Sequence, residues 1–123
     1  MYARVTYVQA PEGKVEEGLN LWRKNVLPVT MGREGFTGTI SMIDRNTGKA
    51  LSLTLWDLEE DLVASTEAEY HQQAVSRFSE FFQGAHEPEN YEVYFFGGPI
   101  FEESAVEKYS KPTLEEQQQP AGD

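Results

Sequence analysis

The chain has 123 residues, enough for one domain with a single core, and its hydrophobic (39%) and aromatic (12%) fractions are those of a folded protein. A formal net charge of −11 argues against nucleic acid and anionic membranes as partners, because both require Lys and Arg to neutralise phosphate. With no cysteine, disulfides, thiolate catalysis, Cys-based zinc sites and iron–sulfur clusters are excluded.

Residues 2–9, YARVTYVQ, are β-branched and aromatic and read as a strand, with no apolar run of signal-peptide length. Pro11-Glu12-Gly13 ends it. Val15, Leu19, Trp22 and Val26 then recur at spacings of four, three and four, the pattern of an amphipathic helix, which Pro28 should kink or stop. Gly32, Gly35 and Gly38 bracket the entry to a strand over 36–44, FTGTISMID, and Asn46-Thr47-Gly48 supplies a hairpin turn. LSLTLW, residues 51–56, alternates strictly, with leucines on one side and Ser52, Thr54 and Trp56 on the other. Asp57 and Glu60 mark the start of a helical segment reaching to about residue 83, and Gly84 stops it. A second capping box, Thr66-Glu67-Ala68-Glu69, predicts a bend after Ser65 and a second helix carrying His71, Val75, Phe78 and Phe82. YEVYFF, residues 91–96, is the last expected strand, broken by Gly97-Gly98-Pro99.

This order predicts an α+β, ferredoxin-like βαββαβ domain over 1–98, with a four-stranded antiparallel sheet and helices on one face. A C-terminal extension, 99–123, follows. Ile100, Phe101, Val106 and Tyr109 give 99–110 something to pack with, whereas 111–123 is polar, rich in Pro and Gln, and expected to be disordered. No segment approaches the roughly 18 apolar residues of a membrane span. The expectation is a cytoplasmic protein acting on small molecules or protein partners.

The element order, together with GFTG (35–38), DRNTGKALSLTLWDLEEDL (44–62) and the helix that follows, resembles the antibiotic biosynthesis monooxygenase family over roughly residues 2–96. The resemblance implies a homodimer forming an α+β barrel. It also implies a cofactor-independent monooxygenase acting on a small electron-rich aromatic of quinol or phenol type. The haem-degrading branch of the family places an Asn on the first strand and a Trp and a His on the second helical segment. Anchored on Trp56, those places fall at about Tyr7, Ser65 and Val75, and none has the required type, so haem degradation is disfavoured. No triad supports the enzyme reading, and the alternative is a non-catalytic dimeric barrel that binds a small hydrophobic ligand or serves in a stress response.

The leucine side of the 51–56 strand is expected to meet the helices, which need an apolar floor. The other side gathers Tyr2, Arg4, Thr6, Val8, Thr39, Ser41, Ile43, Trp56, Glu92, Tyr94 and Phe96. That mixture suits a dimer interior, with Trp56 an interface or packing residue and Ile100 and Phe101 reaching along the partner. On the helix side, His71 shares a stripe with Val75, Phe78 and Phe82 at offsets of four, seven and eleven. Its near-neutral pKa makes it the candidate base. The same position also suits a helix-edge histidine bonded to a carbonyl or to Glu67. Tyr7 reads as core packing or as a hydroxyl donor to substrate, with Tyr70 a second donor. Val5, Trp22, Val26, Leu53, Val75 and Phe78 are the candidate lining of a substrate cavity between helices and sheet. His86 reads as a solvated loop residue. Two histidines fifteen residues apart offer no standard metal-ligand spacing, and no metal is expected.

Overall fold

A computed structural model of the chain describes residues 1–67, 73, 76–84 and 87–101. The chain forms two compact units, 1–92 and 93–123. The first contains strands β1 (Tyr2–Gln9), β2 (Phe36–Ile43), β3 (Lys49–Trp56) and β4 (Glu89–Glu92). They make one antiparallel sheet in the order β2-β3-β1-β4, the ferredoxin-like arrangement that the element order predicts.

The β2–β3 turn is held by side-chain chemistry local to it. The Asp44 carboxylate accepts the amides of Asn46 (2.9 Å) and Thr47 (3.4 Å), and these bonds to its charged form pull its pKa below the ordinary value. Gly48 has a φ of 78°, and a Cβ there would lie 2.7 Å from the Ala10 carbonyl.

Pro28 does not stop the first helical segment. Helix α1 (Val15–Leu21) runs into a π-helical turn, Trp22–Val26, and continues as α2 (Leu27–Met31). The Leu27 amide bonds the Trp22 carbonyl, five residues back. This wider turn accommodates a residue that has no amide to donate and whose ring would crowd the preceding turn. Helix α3 (Glu59–Glu67) starts two residues after Asp57, with Glu59, Glu60 and Asp61 in its first turn. The amides that a Thr66 cap would bond, those of Ala68 and Glu69, lie outside the described residues. Thr66 itself lies inside α3, and its hydroxyl donates to the Leu62 carbonyl at 3.0 Å. A 3-10 turn, Ser79–Phe81, and the left-handed Gly84 (φ 75°) end the helical region.

β4 is shorter than YEVYFF predicts and begins earlier. Its last residue, Glu92, lies opposite Tyr2, the first residue of β1, so the ladder ends where its partner strand begins. The second unit, as described, holds a 3-10 turn over Pro99–Phe101 and the exposed aromatics Tyr94 and Phe95.

The helices lie on the sheet face opposite to the one expected. Register puts Tyr2, Arg4 and Thr6 of β1 beside Trp56, Thr54 and Ser52 of β3, and Val5 and Tyr7 beside Leu53 and Leu51. Trp56 is 1% exposed and Arg4 7%, whereas the leucine face buries Ala3 and Leu55 (5% each) but leaves Ile40 (47%), Met42 (48%) and Tyr91 (51%) open. Handedness gives the same answer. The Ala10 amide bonds the Gly48 carbonyl, so even-numbered β1 residues aim their backbone groups toward β3. In a right-handed crossover from β1 to β2, that orientation puts their side chains beneath the helices. Val5, Tyr7 and Leu53 therefore face away from α1 and α3. Trp56 fills the core of the domain and is not a residue of a bare face.

Candidate functional site

The helix-covered face of the sheet is polar for a protein interior. Trp56 anchors it: Phe36 meets the indole edge-on at 5.6 Å between centroids and 82° between planes, and Trp56 Nε1 donates to Thr54 Oγ1 at 3.0 Å. Next to Thr54 in register stands Arg4, a guanidinium buried on a central strand, whose Nε donates to Asn90 Oδ1 of β4 at 3.0 Å. A buried cation is costly unless other groups or a ligand compensate it, so its place under the helices is a chemical feature as much as a structural one.

Helix α1 lies above this face with its two flanks fixed by different contacts. Glu16 pairs with Arg45 of the β2–β3 turn, and Gly18 abuts the buried ring of Phe81. On the Glu16 flank, Glu16 Oε2 and Asn20 Oδ1 are both buried. Thr6, Ser52 and Thr39 add hydroxyls on the sheet side, and Thr39 Oγ1 is engaged by the Leu53 carbonyl at 3.0 Å. The sheet face offers one fixed positive charge, a row of hydroxyls and an aromatic wall.

The open face holds a second cluster. Tyr91 Oη donates to Glu89 Oε2 at 2.5 Å, and the Tyr7 hydroxyl also bonds Glu89. Both phenol pKa values are raised, first because each O–H is held as a donor to Glu89, then by loss of solvent around the phenol, and then because the carboxylate charge opposes a phenolate. Tyr7 is thus a protonated donor already committed to Glu89.

The structure places Val5, Tyr7 and Leu53 together, but on this open face and not in a cavity with the helices. Trp22 and Val26 stand at the two ends of the π-turn, half-buried, and Phe78 is half-buried just before the 3-10 turn. His71, Tyr70, Val75 and His86 lie outside the described residues. Phe81, and not the predicted Phe78 or Phe82, is the buried aromatic of its segment, because the 3-10 turn shifts the helical stripe. Arg4, Asn90, Glu16 and Asn20 were not singled out as site residues by sequence pattern. The signal available was a charge at the centre of an alternating strand. A pocket of about 290 Å3 lined by Gly32, Arg33, Glu34, Asp61 and Ala64 lies where the chain leaving α2 meets α3, away from the helix–sheet space. Among the described residues, no three His, Asp or Glu side chains converge as a metal site, and no helix is long and apolar enough to cross a membrane.

Solved structures share this architecture. One is a Deinococcus radiodurans protein provisionally named an antibiotic biosynthesis monooxygenase (TM-score 0.64, 14% identity, 80% of this chain and 97% of that one). The second is a mutant of SnoaB, a cofactor-independent oxygenase from Streptomyces nogalater (TM-score 0.64, 8% identity, 77% and 94% covered). The third is a mutant of MhuD with two manganese protoporphyrin IX bound per active site (TM-score 0.63, 16% identity, 80% and 99% covered). The chain has the fold of the antibiotic biosynthesis monooxygenases. That fold spans most of the chain, and the expected family resemblance holds at this level. No family model matches the sequence. Uncharacterized proteins from two strains of Mycobacterium tuberculosis are 33% identical over 54 residues, a stretch that is 44% of this chain and only 24% of theirs.

Proposed function

We propose that this domain is a cofactor-independent monooxygenase acting on a small electron-rich aromatic, a quinol or phenol, bound between the helices and the Trp56 face of the sheet. The observation that carries the reading is Arg4, a guanidinium buried under the helices two residues along from the strand position facing Trp56. Removing a proton from a phenol creates an anion, and passing an electron to oxygen creates another. A preorganised cation in a water-poor layer favours both. Trp56 and Phe36 supply the apolar wall a ring needs. His71 takes the role of base on this reading, with Tyr70 a donor from the same segment. The open sheet face, with Val5, Tyr7, Ile40, Met42 and Leu53, is assigned to a twofold dimer.

Oxygen uptake with a panel of hydroquinones tests the proposal. Uptake is expected, with a loss of at least about a hundredfold in His71→Ala, the lower end of what general-base catalysis contributes, and a comparable loss in Arg4→Leu. Binding of the same compounds with no uptake would reassign the domain as a non-catalytic small-molecule binder.

A further inference from the structure

One hydroxyl on the helix-covered face has its direction fixed by its neighbour. Trp56 Nε1 lies 3.0 Å from Thr54 Oγ1, and an indole nitrogen can only donate, so the Thr54 oxygen must accept there. Its own proton is therefore turned away from Trp56, and among the described residues nothing accepts it. Thr39, which pairs with Thr54 from β2, gives its proton to the Leu53 carbonyl. Thr54 does not, and a β-branched side chain has little freedom to seek another partner. On its other side Thr54 pairs with Arg4, whose Nε is held by Asn90. Side chains directly opposite across an antiparallel pair stand about 5 Å apart at Cβ. An O–H donor and a guanidinium thus share one row of the sheet. Phe36 and Trp56 share the next row, two residues or about 7 Å along β3. A phenol lying along the face meets the aromatic row with its ring and the donor row with its oxygen.

We infer that Thr54 and Arg4 together hold the oxyanion of a bound phenol, with Trp56 the positioning residue that turns the Thr54 proton toward it. The inference rests on the proposed function for the ring, and goes beyond it in giving Thr54 and the indole N–H their parts. Donors held in place favour the phenolate over the phenol, because a hydrogen bond strengthens with the charge it meets. A hydroxyl with no fixed partner offers a ligand its lone pairs as readily as its proton. Here the indole occupies the acceptor side, which sets the polarity of the site. Glu92 and Glu16 share this side of the sheet, but Glu92 ends β4 in the open and Glu16 is paired with Arg45. The net charge of −11 opposes anions in general, so a preference for phenolate has to come from these local donors.

The probe is 4-nitrophenol, whose ionised form absorbs visible light, added to the full chain at the pH where the free compound is half ionised. Bound to the native chain, its phenolate-to-phenol ratio should rise to about a hundred, a factor of about ten each from the neighbouring cation and the added hydrogen bond. The proton released from its O–H goes to the buffer. Thr54→Val keeps the shape, removes the donor and should lower that ratio about tenfold. Thr54→Ser should restore it, and Trp56→Phe, which lacks the N–H, should fall between the native chain and Thr54→Val. A native chain that fails to bind the probe, or binds it no more ionised than when free, overturns the inference whether or not the variants fold. A native ratio in Thr54→Val overturns it too, and a native ratio in Trp56→Phe removes the positioning role. Oxygen uptake with hydroquinones separates this claim from the enzyme reading. An ionised probe without uptake sinks the enzyme reading only, and uptake without an ionised probe sinks the oxyanion site only.

Discussion

At the scale of single residues, Glu89 shows how one carboxylate sets the acid–base behaviour of its neighbours. Tyr7 and Tyr91 both donate to it, and both phenols are harder to ionise as a result. Glu89→Gln removes the charge and keeps the shape. Both tyrosines should then titrate at lower pH, nearer the ordinary value of about 10, read from the ultraviolet absorbance of phenolate. The sign for stability follows. A phenol whose folded pKa is raised contributes stability that is fully present below the unfolded value of about 10 and is lost as pH rises through the folded pKa. The native protein should therefore lose stability over that alkaline window, and Glu89→Gln should lose less. Unchanged tyrosine titration in the variant would show that the cluster does not form in solution. The sequence made Tyr7 visible as a strand tyrosine, but the partner that commits its hydroxyl lies 82 residues away in sequence, beyond the reach of any local pattern.

At the scale of elements, most of the fold was legible because each strand and helix carries its own period. LSLTLW announces a two-residue repeat, and Val15, Leu19, Trp22 and Val26 a helical one. Two features were not legible. Thr66 fits a capping box as well as it fits a helix interior, where a threonine hydroxyl bonds the carbonyl four residues back, and only the surrounding chain decides between them. Pro28 pointed to a kink or a stop; of the two the chain takes no stop, because the π-turn before it lets Pro28 sit in the first turn of α2, where its missing amide is not needed. Packing between elements gives the prediction that belongs here. Gly18 lets α1 approach the 3-10 turn so closely that a Cβ would sit 2.8 Å from Phe81 Cε1. In an exposed helix Gly→Ala gains up to about 1 kcal/mol. At Gly18 it should instead lower stability by about 1–3 kcal/mol, the usual cost of overpacking, because the Phe81 ring is buried. Denaturant melts of Gly18→Ala, Phe81→Leu and the double variant would reveal the contact as a coupling between the two sites. Additive effects, or a stabilised Gly18→Ala, would contradict it.

At the scale of the whole molecule, the question is what covers the leucine face. Alternation in β1 and β3 shows which side chains share a side, but not which side the helices take. The leucine side looked like the helix floor because it is the more apolar of the two. Such reasoning fails when both faces of a sheet are covered, one by the chain's own helices and the other by a second copy, since the interface then competes with the core for apolar residues. Here the helices take the face with Arg4 and Trp56, and the other face leaves Ile40, Met42 and Tyr91 open, beside half-buried Val5, Leu51 and Leu53 and buried Ala3 and Leu55. Contiguous apolar patches beyond a few hundred Å2 mark interfaces on proteins in water. A sheet face meeting its twofold copy at about 10 Å would bury this one. The net charge of −11 makes such a dimer repel itself over distance, so the close apolar contact must carry the association. Met42→Glu therefore strikes at the right place: it adds two symmetry-related charges to the patch while leaving the core around Trp56 untouched. Light scattering at micromolar concentration should give the native chain twice its 14.0 kDa mass and the Met42→Glu variant a single copy with an unchanged melting profile. Raising the salt concentration should tighten the native dimer by screening the like charges. A native chain that stays at 14.0 kDa, in low salt and in high, would leave the leucine face without an occupant and overturn the dimer.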